Sequence, residues 1–190
     1  MRKTMLGICL FFVATALLVC GIAAQQQSLA EKTIRFHVVA ATDSAEDQAQ
    51  KLRVRDALLA AMPSWRSREE AAAWLRENRA ALQAAAETAS DGRPVAVTLT
   101  EEAYPTRDYP TFRLPAGQYL SLRAVIGEGR GHNWWCCVYP SLCAAASEDA
   151  FAAAAVSGGF TQDEITLITD DTAEITVKFK ILEWLSALRG

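Results

Sequence analysis

The stretch Gly127-Glu-Gly-Arg-Gly-His-Asn-Trp-Trp-Cys-Cys-Val-Tyr-Pro-Ser-Leu-Cys143 concentrates residue types that seldom occur together. Glycine occupies every second position from Gly127 to Gly131, which favours a shaped loop because glycine tolerates positive φ and close backbone approach. Trp134 and Trp135 each need a site that buries the ring and an acceptor for the indole N–H. Because adjacent side chains of an extended segment point to opposite faces, we expect one ring to be buried and the other exposed.

The cysteines of this stretch lie on both sides of a turn that contains Pro140. Such a turn can bring the α-carbons of Cys136 and Cys143 within bridging distance, so the spacing predicts a disulfide between them. Cys137 points to the opposite face and is interpreted as a small buried apolar residue. A bond between Cys137 and Cys143 is the alternative.

The first 24 residues have the features of a targeting segment. Arg2 and Lys3 precede an uncharged run from residue 5 to residue 24, which is long enough for a secretory signal or a single membrane anchor. Small residues near Ala23 predict cleavage at Ala23 or Ala24, which leaves residues 25–190 as one extracytoplasmic domain. Retention of residues 1–24 as an anchor is the alternative, and it is the only membrane contact that the sequence predicts.

The composition argues against several classes of function. The 190-residue chain has a formal net charge of -3, and loss of Arg2 and Lys3 would leave about -5, so there is no electrostatic basis for binding nucleic acid. Cysteine and histidine do not occur at the spacings of a zinc site. The glycine-rich stretch lacks the Lys-Ser/Thr pair of a phosphate-binding loop and the helix-opening context of a dinucleotide site. We therefore expect neither a metal nor a cofactor.

Hydrophobic periodicity predicts an α+β fold. Alternation with a period of two predicts strands at residues 33–40, 95–99, 118–126, 135–139 and 174–181. Capping residues and helical spacing predict helices from Ser44 to about Met62, from Ser67 to about Ala89, and over residues 144–156. This order of elements indicates an antiparallel or mixed sheet with helices packed mainly on one face.

The first predicted helix has two distinct sets of side chains. Its apolar stripe is expected to consist of Leu52, Leu58, Leu59 and Met62. Its basic residues, Lys51, Arg53 and Arg55, are interpreted as a solvated face.

His37, Asp43 and His132 are the candidates for a catalytic centre, since they are the two histidines of the chain and an acid at a strand end. Taken singly, each has a structural explanation: His37 shares the polar face of a strand with Arg35, Asp43 is a good turn former, and His132 lies in a loop. Convergence of the three side chains in one cleft would indicate a hydrolase or binding protein that acts on peptidoglycan, which is the alternative function.

Two blocks of the sequence resemble the stage II sporulation protein R family. The first block comprises Ile34–Val38, Asp43-Ser44, Asp47-Gln48 and Lys51–Asp56. The second comprises Leu114–Gly117, Ile126–Gly129, Asn133–Cys136 and Pro140–Cys143. The chain departs from the family pattern at Ala41, Pro110, Cys137 and Ser141, where the family favours asparagine, glycine, an aliphatic residue and proline.

The resemblance implies a secreted signalling protein of endospore formation rather than an enzyme. It implies export from the forespore into the space between the forespore and mother-cell membranes. The partner would be a membrane-embedded aspartic protease that processes the mother-cell pro-sigma-E factor.

On this interpretation the stretch from 127 to 143 and the loop from 104 to 109 form the receptor-contacting surface. The candidate contact residues are Arg130, His132, Asn133, Trp134, Trp135, Tyr139, Tyr104 and Tyr109. No residue is assigned a catalytic, cofactor-binding or metal-binding role.

Overall fold

The computed structural model describes residues 2–142 and 147–189. Within these residues the elements are, in chain order, α1 (Arg2–Lys32), β1 (Ile34–Val39), α2 (Ala45–Ala61), α3 (Arg68–Glu77), α4 (Arg79–Ala89), β2 (Val95–Tyr104), β3 (Arg107–Asp108), β4 (Arg113–Leu114), β5 (Gly117–Ile126), β6 (Asn133–Tyr139), α5 (Glu148–Ser157), α6 (Gln162–Thr169) and α7 (Ala173–Arg189). The predicted α+β class is confirmed.

The main sheet has four strands in the order β2-β5-β1-β6, and it is mixed. Strand β1 runs parallel to β5 and antiparallel to β6, so that Phe36 lies opposite Leu122 on one side and Cys136 on the other. The carboxyl ends of β1 and β5 therefore lie at the same edge of the sheet as the start of β6. A separate two-stranded ladder pairs β3 with β4 in antiparallel orientation.

One face of the sheet builds the hydrophobic core together with α2, α3 and α4. Buried side chains of the sheet, Ile34, Phe36, Val38, Val97 and Leu122, form one cluster with buried side chains of the helices, Val54, Leu58, Leu75 and Leu82. The predicted arrangement of helices on one sheet face holds for this cluster.

The opposite face of β1 carries polar side chains, as the alternation in β1 predicted, but the expectation of a single buried face is wrong because this face is buried as well. Arg35 is fully buried, and its guanidinium lies 5.0 Å from the centre of the Tyr119 ring. Cys137 is the partner of Arg35 in the β1–β6 register. Burial raises the pKa of the Cys137 thiol to about 11, so the thiol stays protonated at neutral pH.

Helix α2 begins as predicted but buries a different stripe. The Ser44 side chain caps the helix by accepting a hydrogen bond from the Asp47 backbone at 3.1 Å. Leu58 is buried as predicted, whereas Leu52 and Leu59 are each 39% exposed. Lys51, predicted to lie on a solvated face, is only 6% exposed because it binds the loop between β5 and β6.

The single helix predicted from Ser67 to Ala89 is two helices that meet at Asn78. The backbone N–H and the side-chain amide of Asn78 both donate to the Trp74 carbonyl, each at 2.9 Å. Asparagine competes for backbone groups in this way, which explains why the helix ends there. The capping interaction predicted at the start is present, since Ser67 accepts from the Glu70 backbone.

The strand predicted over residues 174–181 is wrong, because this segment belongs to helix α7. Ile175, Phe179 and Leu182 are buried, while Val177 is exposed. The buried positions follow the spacing i, i+4, i+7 of a helix, and the period-two alternation of the same apolar residues was incidental. Helix α5 ends at Gly158 as predicted, and its predicted start at residue 144 lies outside the described residues.

The chain divides into two compact units, each built from separated segments. One unit comprises Lys32–Glu102 and Gln118–Thr161, and it contains most of the main sheet. The other comprises Met1–Glu31, Ala103–Gly117 and Gln162–Gly190. In this second unit Ser28 donates a hydrogen bond to the buried Glu164 carboxylate at 2.6 Å.

Helix α1 continues through the predicted cleavage site to Lys32. By length and composition its apolar part could cross a membrane, a property that secretory signals share. Its last turns contain the buried residues Gln26 and Leu29. The residues that follow the predicted cleavage site are therefore part of the folded protein.

Candidate functional site

The candidate site is built around the glycine loop, defined as Gly127–His132, which connects β5 to β6. The loop lies against the segment that follows β1. The Arg130 N–H donates to the Ala41 carbonyl at 3.1 Å, and the Gly131 N–H donates to the Ala40 carbonyl at 2.9 Å. The loop is thus fixed by backbone bonds to a segment that is distant in sequence.

The glycines have the conformational role that the sequence predicted. Gly127 and Gly129 adopt φ values of 56° and 64°, a region that glycine enters without steric penalty. Gly131 is needed for space instead, because a Cβ at this position would lie 2.2 Å from the Thr42 carbonyl oxygen. The close approach of two backbones therefore requires glycine at residue 131.

Asp43 binds His132 through both its backbone and its ring. The Asp43 Oδ1 atom accepts from the His132 N–H at 2.6 Å and lies 2.5 Å from the ring Nδ1. These hydrogen bonds, the backbone one first, hold the pKa of Asp43 below its usual value. Asp43 is therefore a carboxylate at neutral pH and fixes the end of the loop.

Lys51 binds the same loop residue from helix α2. Its Nζ atom donates to the His132 carbonyl at 2.9 Å and to the Gln48 Oε1 atom at 2.5 Å. Burial lowers the pKa of Lys51, and the nearby Asp43 carboxylate opposes this shift. The Gln48 amide also donates to the Thr42 carbonyl at 3.0 Å, which joins α2 to the segment beneath the loop.

Asp47 holds the segment beneath the loop from its other side. Its Oδ2 atom accepts from the Thr42 hydroxyl at 2.5 Å, and its Oδ1 atom forms an ion pair with Arg93. The hydrogen bond from Thr42, followed by the contact with Arg93, lowers the pKa of Asp47. Thr42 is thereby fixed in the position that Gly131 approaches.

Three side chains of the glycine loop, those of Glu128, Arg130 and His132, project into solvent although the backbone is bound. The side chains of Arg130 and His132 are 76% and 81% exposed. Arg130 forms an ion pair with Glu128 at 2.7 Å, and Glu128 is itself exposed. The site therefore presents an arginine and an imidazole on a backbone that is held in place.

The two tryptophans lie on opposite faces of the sheet, as predicted. The Trp134 ring packs edge-on against Phe36 at a centroid distance of 5.6 Å, and Arg55 lies 5.1 Å from its centre. The Trp135 ring stacks on His37 at 4.6 Å with an interplanar angle of 13°. The expected contrast between a buried and an exposed ring is wrong, because both residues are half-buried.

The remaining candidate contact residues differ in exposure. Asn133 and Tyr109 are half-buried, and Tyr109 stacks on Phe112 at 4.5 Å. Tyr139 and Tyr104 are 7% and 2% exposed. These two tyrosines are therefore left out of the proposed contact surface, since neither ring is accessible in the folded protein.

The structure brings together two of the three candidate catalytic residues. Asp43 and His132 are hydrogen-bonded, whereas His37 pairs with Glu102 at 3.0 Å. Burial lowers the pKa of His37, and the Glu102 carboxylate partly opposes this effect. Among residues 2–142 and 147–189, no group of three or more His, Cys, Asp or Glu side chains could hold a metal ion.

The cysteines agree with the sequence interpretation where the structure describes them. Cys136 is disulfide-bonded, and Cys137 is a buried thiol, as expected for a small apolar residue. Cys143, the predicted partner of Cys136, lies outside the described residues. The pairing of Cys136 with Cys143 therefore stays a prediction.

Sequence reasoning missed the residues that hold the loop from below, namely Thr42, Asp47, Gln48, Lys51 and Arg93. A signal for part of this set was present, since Lys51 lies three residues after Gln48 and four after Asp47, about one helical turn from each. Residues with that spacing share one face of α2. However, no local sequence pattern predicts that this face of α2 binds the glycine loop.

Comparison with known proteins places this site in a family. The family model described as Stage II sporulation protein R matches residues 30–149. A relative named stage II sporulation protein R, from Bacillus subtilis strain 168, is 28% identical over 161 residues, which covers 75% of this chain and 71% of that protein. No solved structure matches the chain. The match includes the glycine loop and every residue that binds it, and the chain belongs to the stage II sporulation protein R family.

Proposed function

We propose that this protein is an extracytoplasmic signal of endospore formation that activates a membrane-embedded aspartic protease. The protease then processes the mother-cell pro-sigma-E factor. The glycine loop, with the half-buried Asn133, Trp134 and Trp135 that follow it, is the surface that contacts the protease. Tyr109, in the other compact unit, is a separate candidate contact residue.

The observation that carries this proposal is the combination of a fixed loop backbone with exposed loop side chains. Arg130 and His132 project from a backbone whose N–H groups are bound to the segment after β1. A few residues supply most of the binding energy at protein interfaces, and arginine, tryptophan and tyrosine are enriched among them. A loop that is already ordered loses little conformational entropy when a partner binds. These properties suit recognition of another protein.

The proposed location follows from helix α1. Its apolar part either directs export and is cleaved near Ala23 or Ala24, or it remains as an anchor. Both alternatives support a domain outside the cytoplasm, and we place it in the space between the forespore and mother-cell membranes, where the protease would meet it.

The experiment compares two matched arginine variants in cells that express this protein, the protease and the pro-sigma factor. Arg130 and Arg53 are both exposed, and each forms an ion pair with an exposed carboxylate, at 2.7 Å and 2.6 Å. Arg130→Ala should lower the yield of processed sigma factor about tenfold or more, since truncation of a residue that dominates an interface costs about 2 kcal/mol or more and arginine is enriched at such positions. With Arg53→Ala, the yield of processed sigma factor should equal that of the wild type. Equal processing by both variants, at equal export, would reject the proposed surface.

A second experiment tests the proposal that this protein is a signal and not a peptidoglycan hydrolase. The purified protein should release no soluble fragments from peptidoglycan, whether His132 is present or replaced by alanine. Release of fragments that depends on His132 would support the hydrolase alternative, because His132 and Asp43 form the hydrogen-bonded pair that such an enzyme could use.

A further inference from the structure

We propose that Asp43 and Lys51 are positioning residues for partner recognition, which hold the glycine loop in its binding conformation before the partner arrives. This inference rests on the proposed function of the loop. Neither residue needs to touch the partner, and both act through His132.

The two residues bind opposite backbone groups of His132. The Asp43 carboxylate accepts from the His132 N–H at 2.6 Å, and the Lys51 ammonium donates to the His132 carbonyl at 2.9 Å. The N–H groups of Arg130 and Gly131 are bound to carbonyls of the segment after β1. Three successive N–H groups and one carbonyl are thus occupied in the part of the loop from which the exposed side chains project.

The burial of Lys51 shows that it serves this loop rather than the solvent. Only 6% of Lys51 is exposed, and a buried ammonium is unfavourable unless acceptors surround it. Its acceptors are the His132 carbonyl and the Gln48 side chain. If the loop moved away, Lys51 would lose one of them. Hydrogen bonds with an ionised partner are also stronger than neutral ones, so Lys51 stabilises this conformation of the loop in the free protein.

Asp43 also determines what the imidazole offers to a partner. A carboxylate only accepts hydrogen bonds, so the Nδ1 atom that it contacts carries a proton. In the neutral ring the Nε2 atom is then an acceptor. Because the His132 side chain is 81% exposed, this acceptor is available to a partner. For the neutral ring, the matching group on the partner is an N–H or O–H donor.

The test uses the full-length protein and the substitutions Lys51→Met and Asp43→Asn. Lys180→Met is the control, because Lys180 is 73% exposed and pairs only with a neighbouring side chain of its own helix in the contacts described, Glu183 at 2.8 Å. Amide hydrogen exchange is measured without the partner, on peptides that span the glycine loop and on peptides from β1. Processing of the pro-sigma factor is measured separately, as a function of the amount of exported protein.

We expect exchange in the glycine loop to become about tenfold to a hundredfold faster in both variants, since a hydrogen bond to a charged group is lost or weakened. Exchange in β1 should not change. The amount of protein needed for half-maximal processing should rise about tenfold, while the maximal extent is retained. The control should match the wild type in both measurements.

Unchanged loop exchange in the variants would overturn the inference without reference to any partner. Faster loop exchange with unchanged processing would overturn the positioning role. If Lys51→Met does not fold, Asp43→Asn decides by the same two measurements, because its side chain is 53% exposed and the amide keeps the acceptor oxygen. Normal processing by Arg130→Ala would instead reject the proposed recognition surface and leave the loop-exchange result standing.

Discussion

Replacement of Gly131 by alanine should disrupt the site at its tightest point. The new Cβ would lie 2.2 Å from the Thr42 carbonyl oxygen and 2.5 Å from its carbonyl carbon. Both are backbone atoms, and Thr42 is held by Asp47, so neither can move away easily. The loop itself must shift by about 1 Å to reach ordinary contact distances.

That shift breaks or lengthens the bonds that seat the loop. The Gly131 and Arg130 N–H groups donate to Ala40 and Ala41 at 2.9 Å and 3.1 Å. Two backbone hydrogen bonds at about 1 kcal/mol each, together with about 1 kcal/mol of residual overpacking, predict a loss of about 3 kcal/mol in the free energy of unfolding. Processing of the pro-sigma factor should fall with it.

Urea denaturation of the exported protein, followed by tryptophan fluorescence, measures this loss. Gly92→Ala is the control: Gly92 has a φ of 82°, but beyond its chain neighbours no heavy atom lies within 4 Å of the position that a Cβ would take. This control should lose only about 1 kcal/mol in the free energy of unfolding, because alanine is strained at a positive φ. If Gly131→Ala is as stable as Gly92→Ala or more so, the close approach of the loop to Thr42 does not constrain the protein, and the reasoning fails.

Three further predictions concern the two faces of the sheet. Trp134→Ala should lower the free energy of unfolding by about 2 to 4 kcal/mol in urea denaturation, because it removes a half-buried ring packed on Phe36. Burial lowers the pKa of His37, so the folded protein binds this proton less readily than the unfolded chain does. The free energy of unfolding should therefore be highest above the unfolded-state His pKa of about 6.5 and should fall as the pH drops below it. In denaturation curves from about pH 7 to about pH 5.5, His37→Asn should make the free energy of unfolding depend less on pH. Peptide mapping without reduction should recover Cys136 linked to Cys143, whereas Cys137 should react with alkylating reagents only after unfolding, because burial raises its pKa to about 11.

The elements that were predicted correctly are those whose hydrophobic pattern fits only a helix or only a strand. The alternation in β1 identified both the core face of Phe36 and the polar face of His37, and the caps at Ser44 and Ser67 marked true helix starts. The segment from residue 174 to residue 181 failed because its apolar residues satisfy two periods at once. Only the pattern of buried residues distinguishes the helical period from the strand period, and burial depends on the rest of the fold.

The candidate site was predictable in its loop but not in its support. Alternating glycines, paired tryptophans and clustered cysteines singled out the stretch from Gly127 to Cys143 without any knowledge of the fold. Lys51 was interpreted as solvated because a cluster of basic residues on a helix, here Lys51, Arg53 and Arg55, usually forms a solvated face. Its actual environment is created by β1 and β5 running parallel, which brings their carboxyl ends and the following loop to the start of α2. Such long-range pairing leaves no local pattern.

The buried side of α2 is divided between two tasks, and this division explains its unusual composition. Its first turns bury Asp47, Gln50 and Lys51, and its later turns bury Val54 and Leu58. In the polar half, Gln50 and Lys51 bind backbone carbonyls of neighbouring segments, and Asp47 binds the side chains of Thr42 and Arg93. The apolar half packs in the core against the sheet. Substitutions in the apolar half should therefore lower the stability of the whole unit, whereas conservative substitutions in the polar half should act first on the conformation of the loop. A helix with an apolar stripe along its whole length would have no group able to hold the His132 carbonyl.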